Sequence, residues 1–517
     1  MKNYILLSFV LSFGLPCFSQ TTVSSISKIS SVYGDLSSIL NEFDQFGVSS
    51  DSLGDLNNDG VNDIIVGANR DDSGGVDKGA VYILFLNDDG SVLFEQKISS
   101  TDGGFTGVLE SGDVFGTAVA CIGDLNNDGV NDIAVGAEYD GDGGYWSGAV
   151  WILFLNTDGT VQSYNKINES DLGVNISGTP TFGSSIANVG DVNGDGIIDL
   201  AIGSRRDDDG GTRRGAVWLL FLAEDGSVQS HQKISHTDGN LGYTLSFEDY
   251  FGCEVKNIGD LNEDGVNDIA VGAYKDDDGE ANNGAFYILF LNADGTVLNS
   301  QKISSTEGGF DGVLSNGAYF GLSLSPAGDL DGDCIMDLFV GAAKQETING
   351  DSGSAFIIYL NSDGTVKEEQ EIGPGVNGFN TNLSSGDLFG RSIAFVGELA
   401  DVKTLLVGAS KDDDGGEDMG AVWMLQLKGT VDAPCNEDHI SIDEIDGLQV
   451  TIHPNPTKGI ITFTNVPYES ELNIYTVFGQ SLISTKIKNN STLNLSNFKP
   501  GVYYVSVNGI QQVLVVL

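Results

Sequence analysis

The segment D55LNNDGVND63 recurs four more times, as D124LNNDGVND132, D191VNGDGIID199, D260LNEDGVND268 and D329LDGDCIMD337. Successive copies begin 67 to 69 residues apart in a chain of 517 residues. A regular recurrence of this kind is the signature of a repeat architecture, in which each unit packs against its neighbours. The repeat therefore divides a chain that is too long for one ordinary core.

Each copy places Asp or Asn at positions 1, 3, 5 and 9, and an apolar residue at position 7 that can offer only its backbone carbonyl. Oxygen donors suit a hard cation such as Ca²⁺, and a Gly at position 6 lets the chain turn sharply around it. Solvated Asp/Asn turns without metal are the alternative. Three or four carboxylates within nine residues repel one another, however, and this favours a bound cation.

We therefore predict about five Ca²⁺ sites in strand-loop-strand units. Position 12, where an EF-hand has its Glu, is Val66 in the first copy. The predicted ligands are Asp55, Asn57, Asp59, Val61 and Asp63; Asp124, Asn126, Asp128, Val130 and Asp132; Asp191, Asn193, Asp195, Ile197 and Asp199; Asp260, Asn262, Asp264, Val266 and Asp268; and Asp329, Asp331, Asp333, Ile335 and Asp337.

The chain is strongly acidic, with 74 acidic against 24 basic residues and a net charge of -50. Nucleic acid and anionic membrane surfaces are excluded as partners, because both require basic patches. Residues 1–19 combine a lysine, an apolar run and a small-residue ending, which predicts a secretory signal peptide. No later stretch has 18 uninterrupted apolar residues, so we expect no transmembrane helix.

Around each acidic loop the same unit returns: an F-G strand, the loop, a short apolar strand, an acidic loop, a long apolar strand and a K-I-S segment. Six F-G pairs mark six units, at residues 46, 115, 182, 251, 320 and 389. The long strand, for example residues 149–155, is apolar throughout, so both of its faces must be covered. Four-stranded sheets stacked around an axis meet that need, and the predicted fold class is an all-β propeller.

The two ends of the repeat region complement each other. The pattern begins with a lone fourth strand, V23SSISKIS30, and ends with a third strand, G420AVWMLQLK428. We expect the first to close the ring beside the second, which makes residues 20–431 a six-bladed propeller. The sixth unit, G397ELADVKTLLVGA409, lacks the Asp/Asn ladder and is assigned no metal.

The F-G, G-A-V and D-x-[DN]-x-D-G-x-x-D motifs together resemble the FG-GAP repeats of integrin α subunits, over residues 23–431. The resemblance implies a propeller loaded with Ca²⁺. It also implies seven blades, the usual number in integrins, whereas this sequence supplies six units. Six blades is our expectation and seven is the alternative.

Loops after the second strand of each unit share a face with the long loops before the F-G strands, opposite the calcium loops. We take this second face as the candidate binding surface, because loops on a rigid scaffold carry most recognition. Its acidic loops, such as R206DDDGG211, are interpreted as solvated turns, with further cation sites as the alternative.

Two features of the second face stand out. Tyr145 and Trp146 form an aromatic pair in one acidic loop, suited to a sugar or a protein partner, with ordinary loop packing as the alternative. The neighbouring unit carries four arginines, namely Arg205, Arg206, Arg213 and Arg214. They suit a carboxylate-bearing ligand, and charge balance with Asp207 to Asp209 is the alternative.

After a linker over residues 432–444 the composition changes, and residues 445–517 show short strands separated by turns. This pattern predicts a small, Ig-like β-sandwich. H453PNPTKG459, L472NIYTVFGQ480 and L495SNFKPGVYYVSV507 resemble the C-terminal sorting domain of the type IX secretion system. The resemblance implies export by that machinery, followed by release or attachment at the outer cell surface.

We expect a secreted or cell-surface binding or adhesion protein that is stiffened by calcium, monomeric and not an enzyme. The carboxylate clusters repeat from unit to unit, whereas catalytic groups should break the symmetry, and no nucleophile signature accompanies the four histidines. An extracellular hydrolase or lyase acting on polymers is one alternative. A structural surface-layer component is another. For the binding or adhesion protein, the expected ligand is an extracellular protein or glycan.

Overall fold

A computed structural model describes residues 21–173 and 178–430, together with 451–453, 460–464, 470–476, 481–489, 491–495, 498–499, 501–507 and 510–516. The predicted signal peptide (1–19) and linker (432–444) lie outside these residues. The chain divides into two compact units, Met1–Cys435 and Asn436–Leu517.

Within residues 21–430 the structure contains six four-stranded antiparallel sheets. Strand β1 (Thr22–Ser30) belongs to the last of them. Sheet 1 comprises β2 (Ser49–Gly54), β3 (Asp63–Ala68), β4 (Ala80–Leu86) and β5 (Val92–Ser99). Sheet 2 comprises β6 (Phe115–Gly123), β7 (Asp132–Ala137), β8 (Ala149–Leu155) and β9 (Val161–Asn168), and is followed by the one-turn helix α1 (Glu169–Leu172).

The remaining sheets repeat this order. Sheet 3 comprises β10 (Phe182–Gly190), β11 (Asp199–Ser204), β12 (Ala216–Leu222) and β13 (Val228–Ser235), and sheet 4 comprises β14 (Val255–Gly259), β15 (Asp268–Ala273), β16 (Ala285–Leu291) and β17 (Val297–Ser304). Sheet 5 comprises β18 (Phe320–Gly328), β19 (Asp337–Ala342), β20 (Ser354–Leu360) and β21 (Val366–Ile372). Sheet 6 comprises β22 (Phe389–Leu399), β23 (Val402–Ala409), β24 (Ala421–Lys428) and β1.

Burial follows the position of a strand within its sheet. In sheets 1 to 5 the second and third strands, such as β7 and β8, are buried at every residue, whereas in sheet 6 the strands β23 and β24 are buried over most of their length. The fourth strands expose part of their length, as β5 does at Leu93 and Phe94. Inner strands are apolar on both faces because each sheet is covered by the next one, which is the arrangement of a β-propeller.

The first and last segments of this unit pair directly. Strand β1 runs antiparallel to β24, from Thr22 opposite Lys428 to Ser30 opposite Ala421. Sheet 6 then meets sheet 1 through a bridge between Gly420 and Phe46. An equivalent bridge, between Gly79 and Phe115, joins sheets 1 and 2. The contact between the last and first sheets is therefore of the same kind as the contact between consecutive sheets.

Two glycines of each repeat let adjacent sheets approach closely. A Cβ on Gly136 of β7 would lie 2.1 Å from the carbonyl oxygen of Gly183 in sheet 3, so only glycine fits there. Gly408 of sheet 6 has the same relation to Gly47, at 2.1 Å. Gly47 itself has φ +88, a left-handed conformation that favours glycine. The glycine of each F-G pair and the penultimate glycine of each second strand thus form the seams.

The second unit contains seven strands among its described residues: β25 (Thr451–His453), β26 (Ile460–Thr464), β27 (Ser470–Thr476), β28 (Ser481–Ile487), β29 (Thr492–Asn494), β30 (Gly501–Val507) and β31 (Ile510–Val516). They form one three-stranded and one four-stranded sheet. Ile461 and Phe463 of the first sheet share a core with Leu472, Ile474 and Val505 of the second. No helix in the described part of the chain is long and apolar enough to span a membrane.

Candidate metal centres and ligand-binding face

The first predicted calcium loop holds its oxygen-bearing side chains together through short hydrogen bonds. Asp55 accepts hydrogen bonds from the backbone N–H groups of Asp59 at 2.9 Å and Gly60 at 2.8 Å. Asn57 Oδ1 accepts from the same Asp59 N–H at 2.9 Å, and Asn57 Nδ2 donates to Asp59 Oδ2 at 2.9 Å. Positions 1, 3 and 5 are therefore brought together at one exposed turn.

The next three loops repeat this geometry, with the same bonds in the sets Asp124, Asn126, Asp128; Asp191, Asn193, Asp195; and Asp260, Asn262, Asp264. Position 6 needs a left-handed backbone, at φ +95 in Gly60. Cys334 adopts φ 67 at that position of the fifth loop, which glycine would adopt at lower cost.

Position 9 differs from the others because its Asp is fully buried. Asp63 Oδ2 accepts from the Leu56 N–H at 3.0 Å and Oδ1 from the Leu86 N–H at 3.2 Å. Burial, with a smaller contribution from the charges of Asp59 and Asp55, raises the pKa of Asp63 to about 6. The residue thus ties the loop to the third strand, a structural role that the spacing alone did not indicate.

The donor set fits Ca²⁺. A carboxylate oxygen has more than one acceptor site, so Asp63 keeps lone pairs beyond its two backbone bonds. In the fifth loop, carboxylate oxygens of Asp329, Asp331 and Asp333 lie within 4.8 Å of one another. Positions 1, 3, 5 and 9 and the carbonyl of position 7 would hold the ion. Bound there, Ca²⁺ would offset the crowded negative charge and brace the turn.

The fifth loop already contains a cation from the protein. Lys367 Nζ lies 2.7 Å from Asp331 Oδ2 and 2.6 Å from Asp333 Oδ2. The lysine extends from β21, the fourth strand of the same sheet. Its ammonium group would therefore compete with a divalent ion for two of the predicted ligands, which sets the fifth loop apart from the first four.

The predicted calcium loops also join adjacent sheets. At position 8, Asn131 Nδ2 donates to the Leu53 carbonyl of sheet 1 at 2.7 Å. Asn267 does the same to Val189 of sheet 3 at 3.0 Å, and Asn62 to Val396 of sheet 6 at 2.7 Å. The loops thus lie at the seams between sheets. In the sixth unit the loop is replaced by a two-residue turn, Ala400 and Asp401, with Leu399 paired to Val402.

On the opposite face, the first Asp of each acidic loop is not solvated. Asp71 is 1% exposed, and its Oδ2 lies 2.6 Å from Lys97 Nζ of β5. Burial raises the pKa of Asp71, but the hydrogen bonds from Lys97 and Ser73 and the charge of Lys97 together outweigh burial and hold the pKa below its usual value. The equivalent pairs are Asp140–Lys166, Asp207–Lys233, Asp276–Lys302 and Asp412–Lys28.

The interpretation of these loops as solvated turns is therefore wrong for their first Asp, which forms a buried ion pair. Sheet 5 departs from the pattern, because Gln345 replaces the Asp, and Glu371 replaces the Lys opposite Phe356. Two of the four arginines have acidic partners. Arg205 binds Glu138 in a bidentate pair at 2.7 and 2.9 Å, and Arg213 lies 2.9 Å from Glu248.

Aromatic side chains gather on this face. Trp146 stacks between Tyr139 at 4.8 Å and Tyr145 at 4.7 Å between ring centroids, and Tyr145 is 72% exposed. In sheets 4 and 5, Tyr274 contacts Tyr250 at 5.4 Å and Tyr319 at 5.0 Å. We call these six residues the aromatic arc. Arg205 lies near both groups of rings, close enough to interact with the Tyr139 and Tyr274 hydroxyl groups.

A narrow cavity of about 20 Å³ is lined by residues in or directly before the first strands of sheets 1, 2, 3, 4 and 6, including Ser50, Thr117, Ser184, Glu254 and Arg391. Since five sheets contribute to it, the cavity lies on the axis of the ring. Burial, followed by the nearby Arg205 charge, lowers the pKa of Arg391. The guanidinium makes no ion pair with any described residue.

Comparisons with known protein families match parts of both the repeat region and the C-terminal region. Residues 46–84, 115–153 and 182–220 match the FG-GAP repeat, and residues 451–516 match a secretion system C-terminal sorting domain. The chain is 36% identical over 164 residues to integrin alpha-3 of Cricetulus griseus, covering 31% of this chain and 14% of that protein.

It is also 30% identical over 218 residues to integrin alpha-4 of Xenopus laevis, covering 42% of this chain and 18% of that protein. A phosphatidylinositol-glycan-specific phospholipase D of Bos taurus is 32% identical over 206 residues, covering 37% of this chain and 23% of that protein. The chain thus spans less than a quarter of each relative's length. The sorting domain indicates type IX secretion, to the cell surface or the exterior. The chain therefore carries FG-GAP repeats that are similar to those of integrin α subunits, together with a C-terminal secretion sorting domain.

Proposed function

We propose that the mature protein is a non-enzymatic binding or adhesion module, built as a six-bladed propeller that Ca²⁺ braces from one face. The observation that carries this proposal is the position of the calcium loops at the seams. Asn62, Asn131 and Asn267 anchor these loops to the preceding sheet. A metal there would stabilise the ring without touching a ligand, which leaves the opposite face for recognition.

The proposed division of the chain is a signal peptide over residues 1–19, a propeller over 20–431, a linker over 432–444 and a sorting domain over 445–517. Two histidines of the propeller have structural surroundings, which supports a non-catalytic role. His231 packs 5.4 Å from the Trp218 ring, and His236 Nδ1 accepts from the Leu245 N–H at 3.2 Å. Although one relative is named a phospholipase, no catalytic residue of this chain is proposed.

The metal role is tested by thermal unfolding of the full chain in a chelator and in millimolar Ca²⁺. Ligands that bind only the folded state raise its melting temperature, so Ca²⁺ should restore what the chelator removes. Asp128→Ala should reduce the calcium-dependent gain, and Asp158→Ala, in a hairpin on the same face, should leave it intact. A melting temperature that does not respond to chelation would contradict calcium bracing.

The binding role is tested separately, by probing glycan and protein arrays with the calcium-loaded chain. Capture without turnover of the captured polymer supports a binding module. Release of shortened products from a polysaccharide would instead support the hydrolase or lyase alternative. Absence of capture on all arrays would leave a structural surface-layer role as the better account.

A further inference from the structure

The second face carries basic side chains that the protein does not neutralise. In a chain of net charge -50, most propeller lysines and arginines bind carboxylates, as in the Lys302–Asp276 pair at 2.8 Å. Eight others make no ion pair with any residue that the structure describes: Arg70, Lys78, Arg206, Arg214, Lys275, Lys344, Arg391 and Lys428. Four of the eight, namely Arg206, Lys275, Lys344 and Arg391, lie against the aromatic arc or the axial cavity. They belong to sheets 3, 4, 5 and 6, consecutive around the ring, and all four lie at the same end of it.

Three of these cations rest on the aromatic arc. The Arg206 guanidinium lies 5.7 Å from the Trp146 ring centroid and 5.8 Å from that of Tyr139. Lys275 Nζ lies 4.8 Å from the Tyr250 centroid, and Lys344 Nζ lies 4.6 Å from the Tyr319 centroid. A cation held over a ring has its position fixed but its charge uncompensated. The contacts therefore preorganise positive charge at three successive points.

The fourth cation marks the axial end of this patch. Arg391 lines the cavity beside Ser50, Thr117 and Ser184. The hydroxyl groups of these three residues already donate hydrogen bonds to Ser392 Oγ and to the Val114 and Gly252 carbonyl oxygens, so the guanidinium is the group in this set that can still donate to an anion. Two further cations nearby are compensated, Arg205 by Glu138 at 2.7 Å and Lys256 by Glu254 at 3.7 Å. Arg391 forms no direct ion pair with a described residue, and Glu138 and Glu254 act on its charge only at longer range.

We propose that Arg206, Lys275, Lys344 and Arg391, with the aromatic arc, bind an anionic polysaccharide that carries carboxylate or sulfate groups. An extended polyanion matches charges spaced over four sheets, whereas one acidic side chain would satisfy only one of them. The exposed Tyr145 ring offers a flat surface for a sugar at one end of the patch. Charge complementarity also explains how so acidic a protein can attract a polyanion at one place.

The test measures binding of the calcium-loaded full chain to hyaluronan, chondroitin sulfate, dextran and poly-glutamate at several salt concentrations. Hyaluronan carries carboxylates only, chondroitin sulfate adds sulfates, and dextran is uncharged. We expect binding to one or both charged polysaccharides and none to dextran. The triple variant R206Q/K275Q/K344Q should lower affinity at least about tenfold and reduce the slope of log K against log salt by roughly three.

The matched control is K403Q/K428Q/K486Q, which removes the same charge from basic residues outside the second face. Lys403 and Lys428 lie at the ends of β23 and β24 that are on the face of the calcium loops, and Lys486 lies in the second unit. This control should leave affinity and slope unchanged, and both variants should keep the wild-type melting temperature in Ca²⁺. If the triple variant unfolds, Lys344→Gln alone should reduce the slope by about one. Arg391→Met, at the axis, should weaken binding while dextran remains unbound.

Equal losses in the two triple variants, or tighter binding to poly-glutamate than to both polysaccharides, would overturn the proposal. Failure to bind either charged polysaccharide would do so as well. The proposal rests on the binding role proposed above, but the two fail differently. A chain that captures an array ligand with the patch variants unaffected keeps its binding role and loses only this surface.

Discussion

Closure of the ring by the N-terminal strand predicts that Ile29, which pairs with the distant residue Val422 of β24, stabilises the fold as much as its equivalents in the other sheets. Ile29 of β1 is 1% exposed and packs in one cluster with Phe46 and Val422. Ile98 of β5 has the same place in sheet 1 and is 0% exposed. Removing a buried isoleucine side chain down to alanine costs about 3 kcal/mol, through lost burial and the cavity that remains.

Ile29→Ala and Ile98→Ala should therefore lower the free energy of unfolding by similar amounts. The assay is urea unfolding of the full chain in Ca²⁺, followed by tryptophan fluorescence. All four tryptophans lie between residues 146 and 423, so the signal reports the first unit. The exposed Ser27 of β1 provides a control, since Ser27→Ala should change stability by less than about 0.5 kcal/mol. An Ile29→Ala variant as stable as the wild type, beside a destabilised Ile98→Ala, would refute closure by β1.

Three further predictions concern charge. Lys367→Met should raise the Ca²⁺ stoichiometry or affinity measured by calorimetry, because it removes the ammonium group that lies 2.7 Å from Asp331. An unchanged calorimetric titration would argue against competition between this ammonium group and Ca²⁺. Burial raises the pKa of Asp249 from 3.8 to about 7, so the folded state binds this proton more tightly than the unfolded chain. Stability should therefore fall as pH rises from about 4 to 7, by an amount of order 3 kcal/mol, and Asp249→Asn should flatten that part of the stability–pH profile measured in urea. Lys302→Met should lower the free energy of unfolding by about 3 kcal/mol, because it leaves the Asp276 carboxylate buried and unpaired. The double variant with Asp276→Asn should recover part of this loss in the same urea assay. No recovery would argue against the pairing.

Much of the fold could be predicted from the chain because the repeat reports local and nearest-neighbour geometry. The strands around each acidic loop, the hairpins such as the one at Asp158 and Gly159, and the boundary between repeats and C-terminal segment all follow from short patterns. The oxygen-rich loops were equally visible, since positions 1, 3 and 5 lie within a few residues of each other. Their metal occupancy remains a prediction.

The individual roles of residues were harder to predict. The sequence spacing predicts the same role for Asp55 and Asp63. Asp55 nevertheless lies at an exposed turn, whereas Asp63 is buried against the Leu56 and Leu86 amides. The acidic loops look solvated in sequence because Asp is usually exposed, whereas Asp71 meets Lys97, 26 residues away. A pattern of residue types carries no information on which of two similar carboxylates a distant strand covers.

By itself, the sequence determined an all-β repeat protein with six units, acidic loops suited to calcium, and a distinct C-terminal sorting segment. Only the tertiary structure decided which of these charges are compensated. Lys367 enters the fifth loop, five Asp–Lys pairs bury the acid of the opposite face, and Arg206, Lys275 and Lys344 remain unpaired over aromatic rings. The physical reason is that these contacts join different strands or different sheets, so they exist only once the ring has brought those segments together.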